Sequence, residues 1–124
     1  MIVGVGVDLS SVARMAALLE RHPGVAERLD VAGALLSPEA LAVRFAAKEA
    51  FIKALGGAVS GARWRDVTVT HDTHGAPSLQ FAGAISDEVK RRGIDRCQLS
   101  LSHDAGLAIA VVILESDGLP SQQE

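Results

Sequence analysis

The chain has little of what marks several common classes of protein. Cys97 is the only cysteine among 124 residues, so no disulfide can form within the chain, which favours a reducing compartment. There is no tyrosine, and the aromatic residues are only Phe45, Phe51, Phe81 and Trp64. Because hydrophobic residues still make up 48% of the chain, we expect a core built mainly from valine, isoleucine, leucine and alanine.

The chain also lacks a positive excess of charge and a long apolar run. Its formal net charge is -3, which argues against a protein devoted to gripping a nucleic-acid backbone. The apolar start, residues 1–7, has no basic flank, and Asp8 ends it far short of a signal core or a membrane span. We therefore expect a cytoplasmic protein that has neither a nucleic-acid nor a membrane partner.

The length predicts one domain, which we place over residues 1–116, with a polar and flexible tail over 117–124. Alternation and helical spacing indicate an α+β fold, in which an antiparallel sheet packs against one long and two or three short helices. Residues 25–36 are ambiguous. We predict strands over residues 2–9, 64–71, 78–81, 96–102 and 107–115, and helices over residues 12–21, 38–55 and 86–92.

The long predicted helix carries an unusual set of charges. Glu49 and Lys53 are four residues apart and share a face, and Arg44 and Lys48 share a face about 100° away. Ordinary surface ion pairs would explain them. However, the other residues between Phe45 and Ala54 are apolar, and cations on a mostly apolar helix need partners.

A carboxylate among several cations suits a magnesium ion that binds a diphosphate. Mg²⁺ takes one or two carboxylates and keeps its other positions for phosphate oxygens and water, while lysine and arginine neutralise charge on a transferred phosphoryl group. Asp8, at the end of the first strand, is the candidate for the second carboxylate, although alone it would be interpreted as a cap. Gly4 and Gly6 precede it and permit another backbone or a ligand to approach closely.

Two further residues have competing interpretations. His103 follows an alternating strand, where a capping or core histidine is usual, but it is also suited to bind a phosphate or a metal-bound water. Cys97 falls within a predicted strand and is interpreted as a core residue rather than a reactive thiol. The sequence shows no serine or cysteine placed as a nucleophile beside a base.

The first predicted helix carries Arg14 and Arg21, seven residues apart, beside Met15 and Leu18. A solvated face would explain the two arginines. The alternative is a docking surface with apolar residues at its centre and cations for an acidic partner.

Four segments resemble, in their order along the chain, the holo-acyl-carrier-protein synthases, the small 4′-phosphopantetheinyl transferases. They are Gly4-Val-Gly-Val-Asp8-Leu, Arg44-Phe-Ala-Ala-Lys-Glu49-Ala-Phe-Ile-Lys53-Ala-Leu-Gly, Gly75-Ala-Pro77 and Ser100-Leu-Ser-His103-Asp104. The resemblance implies the 4′-phosphopantetheinyl transferase type of fold. It also implies Mg²⁺-dependent transfer of 4′-phosphopantetheine from coenzyme A to a serine of apo-acyl carrier protein, with release of 3′,5′-ADP, in fatty acid biosynthesis. A homotrimer with a site at each subunit interface is implied as well.

The resemblance also implies roles for single residues. Asp8 and Glu49 would bind Mg²⁺, Lys53 would contact the transferred phosphate, and either Glu49 or a metal-bound water would accept the serine proton. The other implied positions form two groups, each contacting one partner. Coenzyme A would be contacted by Arg44, Lys48, Lys53, Gly56, Pro77 and His103, and the carrier protein by Arg14, Met15, Leu18 and Arg21.

The segment before the long helix departs from the family pattern. Only 22 residues separate Arg21 from Arg44, and Gly56-Gly57-Ala58 replaces the usual Gly-Thr-Gly. There are two alternatives to a transferase. The first is a non-catalytic module that binds coenzyme A or a carrier protein, and the shortened segment supports it. The second is an interaction domain whose charges are placed by chance.

Overall fold

The computed structural model describes residues 1–117 and has an α+β architecture, as predicted. Two single turns of 3₁₀-helix lie at Gly33–Leu35 and Trp64–Asp66. The strands are β1 (Ile2–Ser11), β2 (Val67–His71), β3 (Pro77–Phe81), β4 (Arg96–Asp104) and β5 (Leu107–Glu115), and the helices are α1 (Val12–Arg21), α2 (Val25–Leu29), α3 (Pro38–Leu55) and α4 (Gly83–Arg91). The predicted tail lies outside the described residues except for Asp117, which is bonded to Arg96 at 3.3 Å.

The strands form two antiparallel sheets, one of three strands in the order β1-β5-β4 and one of two strands, β2-β3. In the larger sheet Asp8 lies opposite Ala110, and Ala110 lies opposite Leu101. Strands β4 and β5 are joined at Ala105 and Gly106, whose φ angles are 51° and 79°. Positive φ at both positions suits a two-residue hairpin turn, so the turn predicted there is confirmed.

Helix α3 is the central element, and both of its predicted ends are confirmed. The Ser37 hydroxyl accepts a hydrogen bond from the Ala40 N–H, and Pro38 occupies the first turn. At the other end Gly56 has φ 92°, and Gly57 donates to the Ile52 carbonyl at 3.1 Å, the pairing of a Schellman motif. Half of the 18 residues of α3 are buried, so the helix lies inside the protein on several sides. The buried residues are Leu41, Ala42, Ala46, Ala47, Lys48, Ala50, Phe51, Ala54 and Leu55.

Two glycines allow β1 to lie directly against α3. A Cβ atom at Gly4 would overlap the carbonyl of Ala54, and one at Gly6 would overlap the carbonyl of Ala50. This is the close backbone approach that the sequence predicted. Since Gly4 faces Ala54 and Gly6 faces Ala50, β1 and α3 run in opposite directions, and Asp8 is carried toward the middle of the helix.

The core is aliphatic, as expected, and has two parts. The larger packs α3 against both sheets and α4, and contains a stacked pair of Phe51 and Phe81 with ring centroids 4.7 Å apart. The smaller part joins α1 and α2 to the first half of α3, with Met15, Leu29 and Leu41 at its centre. Hydrophobic burial of this kind supplies most of the driving force for folding.

Several predicted boundaries differ from the structure. The strand predicted from Trp64 starts at Val67, because the Asp66 carboxylate accepts the Arg63 N–H at 3.0 Å and closes a 3₁₀ turn instead. The helix predicted from Ser86 starts at Gly83. Strand β1 runs two residues past its predicted end, and the ambiguous segment 25–36 contains α2 and a 3₁₀ turn.

The outer face of the β1–β5 pair, turned away from α3, is apolar and at least partly exposed. Val5, Val7 and Leu9 of β1 are 60%, 51% and 61% exposed. Across the sheet they lie opposite Ile113, Val111 and Ile109. We call these six residues the apolar sheet face. Within residues 1–117, no helix has the length and hydropathy needed to cross a bilayer.

Candidate active site

The structure brings Asp8 and Lys53 together. The Lys53 Nζ lies 3.0 Å from Asp8 Oδ1 and also donates to the Val7 carbonyl at 3.2 Å. The Asp8 side chain is only 13% exposed, whereas that of Lys53 is 54% exposed. The carboxylate is therefore held in a recess at the surface of α3, and the ammonium covers it from the solvent side.

Glu49 lies one helical turn before Lys53 and belongs to the same cluster. Burial raises the pKa of the Glu49 carboxyl, the neighbouring Asp8 charge raises it further, and Lys53 lowers it. The Asp8 charge therefore lies near enough to act on the Glu49 carboxyl. That Asp8 and Glu49 bind one metal ion together stays a prediction.

The carboxylates of Asp8 and Glu49 suit a magnesium site that substrate and water complete, rather than a site built from protein ligands alone. Within residues 1–117 there is no group of three or more histidine, cysteine, aspartate or glutamate side chains arranged to hold a metal. Mg²⁺ commonly binds through one or two carboxylates together with substrate phosphates and water. The donor set of Asp8 and Glu49 thus fits a cation that is completed by a phosphorylated ligand.

Lys48 lies inside the protein rather than on a second charged face. Its side chain is 1% exposed, and its Nζ donates to the carbonyls of Trp64, at 3.0 Å, and Val67. Burial lowers the pKa of Lys48 to about 8, an effect that the Asp30 charge opposes. The contact between Lys48 and coenzyme A that the resemblance implies stays a prediction, and the ammonium has interior partners of its own.

Arg44 and Lys48 both form ion pairs with Asp30, a residue that was not predicted from the sequence. Asp30 Oδ2 lies 4.0 Å from the Arg44 Nε and 3.9 Å from the Lys48 Nζ. Arg44 also donates to the Ala40 carbonyl at 3.2 Å. Asp30 lay in the ambiguous segment 25–36, where the only signal was indirect, since buried cations on an apolar helix require a buried anion.

A cavity of about 700 Å³ borders Glu49 on the side of α3 that carries Ile52. Its lining is mainly apolar and contains several basic side chains. The lining residues are Arg28, Lys48, Glu49, Ile52, Ala58, Val59, Ala62, Arg63, Trp64, Arg65, Val67 and Ile85. Neither Asp8 nor Lys53 is among them, so Glu49 stands between the cavity and the Asp8–Lys53 pair.

The remaining predicted coenzyme A contacts lie elsewhere in the chain. His103 is near the end of β4, with its Nδ1 3.8 Å from the Glu39 carboxylate. Glu39 and Glu49 are ten residues apart on α3, which is about 15 Å along the helix. Pro77 is the first residue of β3, and Gly56 is exposed at the end of α3.

Of the four predicted docking residues, three have accessible positions on α1. Arg14 and Arg21 are exposed and Leu18 is partly buried. Met15 is 5% exposed and packs in the smaller core part. The prediction that Met15 lies on the docking surface is therefore wrong for this chain, because the apolar side of α1 faces α3 rather than solvent.

Comparison with known proteins gives a consistent result. Residues 4–112 match the model of the 4′-phosphopantetheinyl transferase superfamily. A holo-[acyl-carrier-protein] synthase from Clavibacter sepedonicus is 51% identical over 119 residues, which cover 95% of this chain and 99% of that protein. The crystal structure of holo-[acyl-carrier-protein] synthase from Neisseria meningitidis aligns with a TM-score of 0.85 at 34% identity, over 94% of this chain and 100% of that one.

A second solved structure holds a ligand. The holo-[acyl-carrier-protein] synthase of Helicobacter pylori, crystallised in complex with coenzyme A, aligns with a TM-score of 0.78 at 28% identity, over 90% of this chain and 99% of that one. The sequence motifs, the fold and the match over nearly the whole chain agree. The chain belongs to the 4′-phosphopantetheinyl transferase superfamily, among its holo-acyl-carrier-protein synthases.

Proposed function

We propose that this chain transfers 4′-phosphopantetheine from coenzyme A to a serine of apo-acyl carrier protein, giving holo-acyl carrier protein and 3′,5′-ADP. The observation that carries this proposal is the ion pair of Asp8 and Lys53, which lies close enough to Glu49 for both charges to act on its carboxyl. Curated relatives named for this activity match over nearly their full length.

The chemistry asks for charge neutralisation rather than for a nucleophile on the enzyme. The serine oxygen of the carrier protein attacks the β-phosphorus of coenzyme A, and the bond from that phosphorus to the oxygen bridging the α-phosphate breaks. Lys53 is placed to stabilise the negative charge on the transferred group. Glu49 is the candidate among this chain's own residues to accept the serine proton.

Asp8 and Glu49 would hold Mg²⁺, which would neutralise charge on the diphosphate when bound. The support for this metal is the donor set, two hard carboxylate oxygens with room for phosphate oxygens beside them. Coenzyme A would span a longer path. Its proposed contacts are Arg44, Lys53, Gly56, Pro77 and His103.

We also propose that the active form is a homotrimer with a site between neighbouring copies. The apolar sheet face offers a second copy a contiguous hydrophobic surface, of the kind that mediates association. In addition, His103 is far along the helix from Glu49 within one chain, so a ligand bound at Glu49 would meet the His103 of a neighbouring copy.

The carrier protein would dock on α1 through Arg14, Leu18 and Arg21. Two exposed cations one heptad apart are suited to an acidic helix, and such charge complementarity guides docking and sets its orientation.

We place the reaction in fatty acid biosynthesis and in the cytoplasm. A single cysteine, and hence no intrachain disulfide, supports a reducing compartment.

The decisive experiment is mass spectrometry of an apo-acyl carrier protein incubated with this protein, coenzyme A and Mg²⁺. We expect the carrier to gain the mass of one phosphopantetheine, and we expect the gain to disappear with EDTA or with a carrier whose acceptor serine is alanine. If several carriers show no gain while calorimetry still detects coenzyme A binding, the chain is a non-catalytic module instead.

A further inference from the structure

We propose that Lys48 is a positioning residue, which acts from inside the fold to fix the cavity wall beside Glu49 and does not contact coenzyme A. The inference rests on the proposed transfer reaction for its kinetic test. It corrects the role that the sequence resemblance gives to this lysine, and it assigns a purpose to Asp30.

The surroundings of the Lys48 ammonium leave it little capacity for a ligand. A lysine ammonium has three donors. Two of them are used by the carbonyls of Trp64 and Val67, and Asp30 Oδ2 lies 3.9 Å from the same nitrogen. With 1% of the side chain exposed, a phosphate would have to displace these partners before it reached the nitrogen.

Asp30 depends on this lysine in turn. Its Oδ1 accepts the Ala32 N–H at 3.0 Å, but its Oδ2 is buried and finds no hydrogen-bond partner among residues 1–117. Within that part of the chain, the charge on Oδ2 is balanced through the ion pairs with Lys48 and Arg44. Removal of Lys48 alone would leave a buried carboxylate poorly compensated, which is more damaging than removal of both charges.

The partners of Lys48 connect the segments around the cavity. Asp30 follows α2, Lys48 adjoins Glu49 on α3, and the two carbonyls belong to the Trp64–Val67 segment. Trp64 and Val67 line the cavity that Glu49 borders, and Lys48 adjoins it with only 1% of its side chain exposed. The ammonium thus holds one wall of the cavity to the helix that carries the proposed catalytic carboxylate.

Trp64 is also packed from a second side. Its ring lies 5.2 Å from the ring of Phe45, one turn of α3 before Glu49. This contact anchors the Trp64 side chain, whereas Lys48 anchors the backbone of the same segment. Loss of the backbone tie would let the wall shift relative to Glu49, which would impair the reacting geometry more than the affinity for coenzyme A.

The test compares Lys48→Met, Asp30→Asn and the double variant, since methionine keeps the length of lysine without its charge. We expect Lys48→Met to lower the melting temperature, and to lower kcat at least about 10-fold while the KM for coenzyme A stays within about twofold. The double variant should melt at a higher temperature than Lys48→Met and regain part of kcat, because the uncompensated carboxylate is gone. Lys90→Met, on the exposed end of α4, is the matched control and should behave as wild type.

Three results would overturn the proposal. A KM for coenzyme A that rises about 10-fold without loss of kcat would make Lys48 a ligand contact. A lowered melting temperature with unchanged kcat would make it purely structural, and strictly additive effects in the double variant would remove its coupling to Asp30. If Lys48→Met does not fold, the double variant supplies the kinetic comparison.

Failure of the proposed function itself is distinguishable. If the wild-type chain does not turn over, calorimetric titration with coenzyme A replaces the kinetics. Unchanged affinity in Lys48→Met, together with thermal coupling to Asp30, would then support the interior role. Affinity lowered about 10-fold or more would overturn it.

Discussion

The ammonium of Lys53 lies 3.0 Å from the carboxylate of Asp8, although the two residues are 45 positions apart along the chain. More than half of the Lys53 side chain is exposed, and ion pairs of this kind contribute about 0–1 kcal/mol to stability. The pair is therefore a minor part of what holds β1 to α3. The pair matters instead because it places a carboxylate and an ammonium beside Glu49.

Removal of the Asp8 charge should separate function from stability. Asp8→Asn keeps the shape of the side chain but removes the proposed metal ligand and the charged partner of Lys53. We expect phosphopantetheine transfer to fall about 100-fold or more, with a change in melting temperature of no more than about 3 °C. Glu49→Gln should behave in the same way, and the measurements are mass spectrometry of the carrier protein and calorimetry.

The matched control is Asp87→Asn, because Asp87 is an exposed carboxylate on α4, away from the cluster. It should retain normal transfer. Near-normal turnover by Asp8→Asn or Glu49→Gln would show that the site has been assigned to the wrong residues.

A methyl group at Gly6 should disturb the contact between β1 and α3. The added Cβ would overlap the Ala50 carbonyl, which belongs to the helix backbone and has no room to yield. We expect Gly6→Ala to lower the free energy of unfolding by at least about 1–3 kcal/mol, as measured by urea denaturation. Transfer should fall too, since Asp8 follows two residues later on the same strand.

Gly24→Ala is the control for Gly6→Ala, because it adds the same methyl group at a glycine that no other element approaches closely. A Cβ at Gly24 has nothing within 4 Å, and φ at this residue is -66°, which alanine adopts without strain. We expect an unchanged or slightly higher stability, by about 0.4–1 kcal/mol. Equal losses for the two variants would mean that the β1–α3 contact tolerates a side chain.

The parts of the fold that sequence predicted well depend on local chemistry. Ser37, Pro38 and Gly56 fix the ends of α3 through bonds that span only a few residues, and such signals are readable in sequence. The start of β2 was misplaced because the Asp66 carboxylate closes a turn onto Arg63. A capping bond of that kind competes with strand alternation and outweighs it here.

The candidate site was predicted only in part for a related reason. Helical spacing places Glu49 beside Lys53, but the approach of Asp8 was supplied by the family motif rather than by periodicity. The apolar setting indicated that Lys48 needs a partner, but spacing could not identify Asp30 or Trp64, which come from segments remote in sequence. Met15 was misplaced because amphipathic spacing identifies an apolar side of α1 without saying whether that side meets the core or a partner.

A charge on the apolar sheet face should weaken the proposed trimer. Val5 is 60% exposed in the single chain, so Val5→Glu costs little there, whereas burial of that charge between copies would be costly. We expect sedimentation velocity to show trimers for the wild type and mainly monomers for Val5→Glu. If each site uses residues of two copies, phosphopantetheine transfer by Val5→Glu should fall in parallel with the loss of trimers.

Gln80→Glu is the control for this experiment, because Gln80 is an exposed strand residue of the smaller sheet. It adds the same charge and should leave the sedimentation coefficient unchanged. A wild-type chain that sediments as a monomer at working concentrations, yet is fully active, would refute the shared site.

Loss of a cation on α1 should weaken carrier-protein recognition selectively. Arg14→Ala removes an exposed charge whose side chain has no role in the core. We expect the KM for the carrier protein to rise about 5- to 10-fold, with kcat and the KM for coenzyme A within about twofold. Lys90→Ala removes an exposed cation from α4 and should leave all three constants unchanged, whereas an unchanged carrier KM in Arg14→Ala would exclude α1 as the docking surface.

The half-buried thiol of Cys97 should make the stability of the fold depend on pH in the alkaline range. Cys97 lies opposite Leu114 and packs against the larger core part, and burial raises its pKa from 9.0 to about 11. The unfolded chain therefore loses this proton first as the pH rises above 9, and deprotonation favours unfolding. The stabilisation that the protonated thiol gives to the folded state is complete below pH 9, and it is lost as the pH rises from 9 through 11.

Cys97→Val isolates this effect, because valine suits a half-buried strand position and does not titrate. The difference in unfolding free energy between wild type and Cys97→Val should be constant from pH 7 to 8.5. By pH 10 it should move against the wild type by about 1 kcal/mol. Urea denaturation at each pH measures the difference, in which the titration of all other groups cancels. A difference that stays flat to pH 10.5 would mean that the thiol is hydrated in the folded protein.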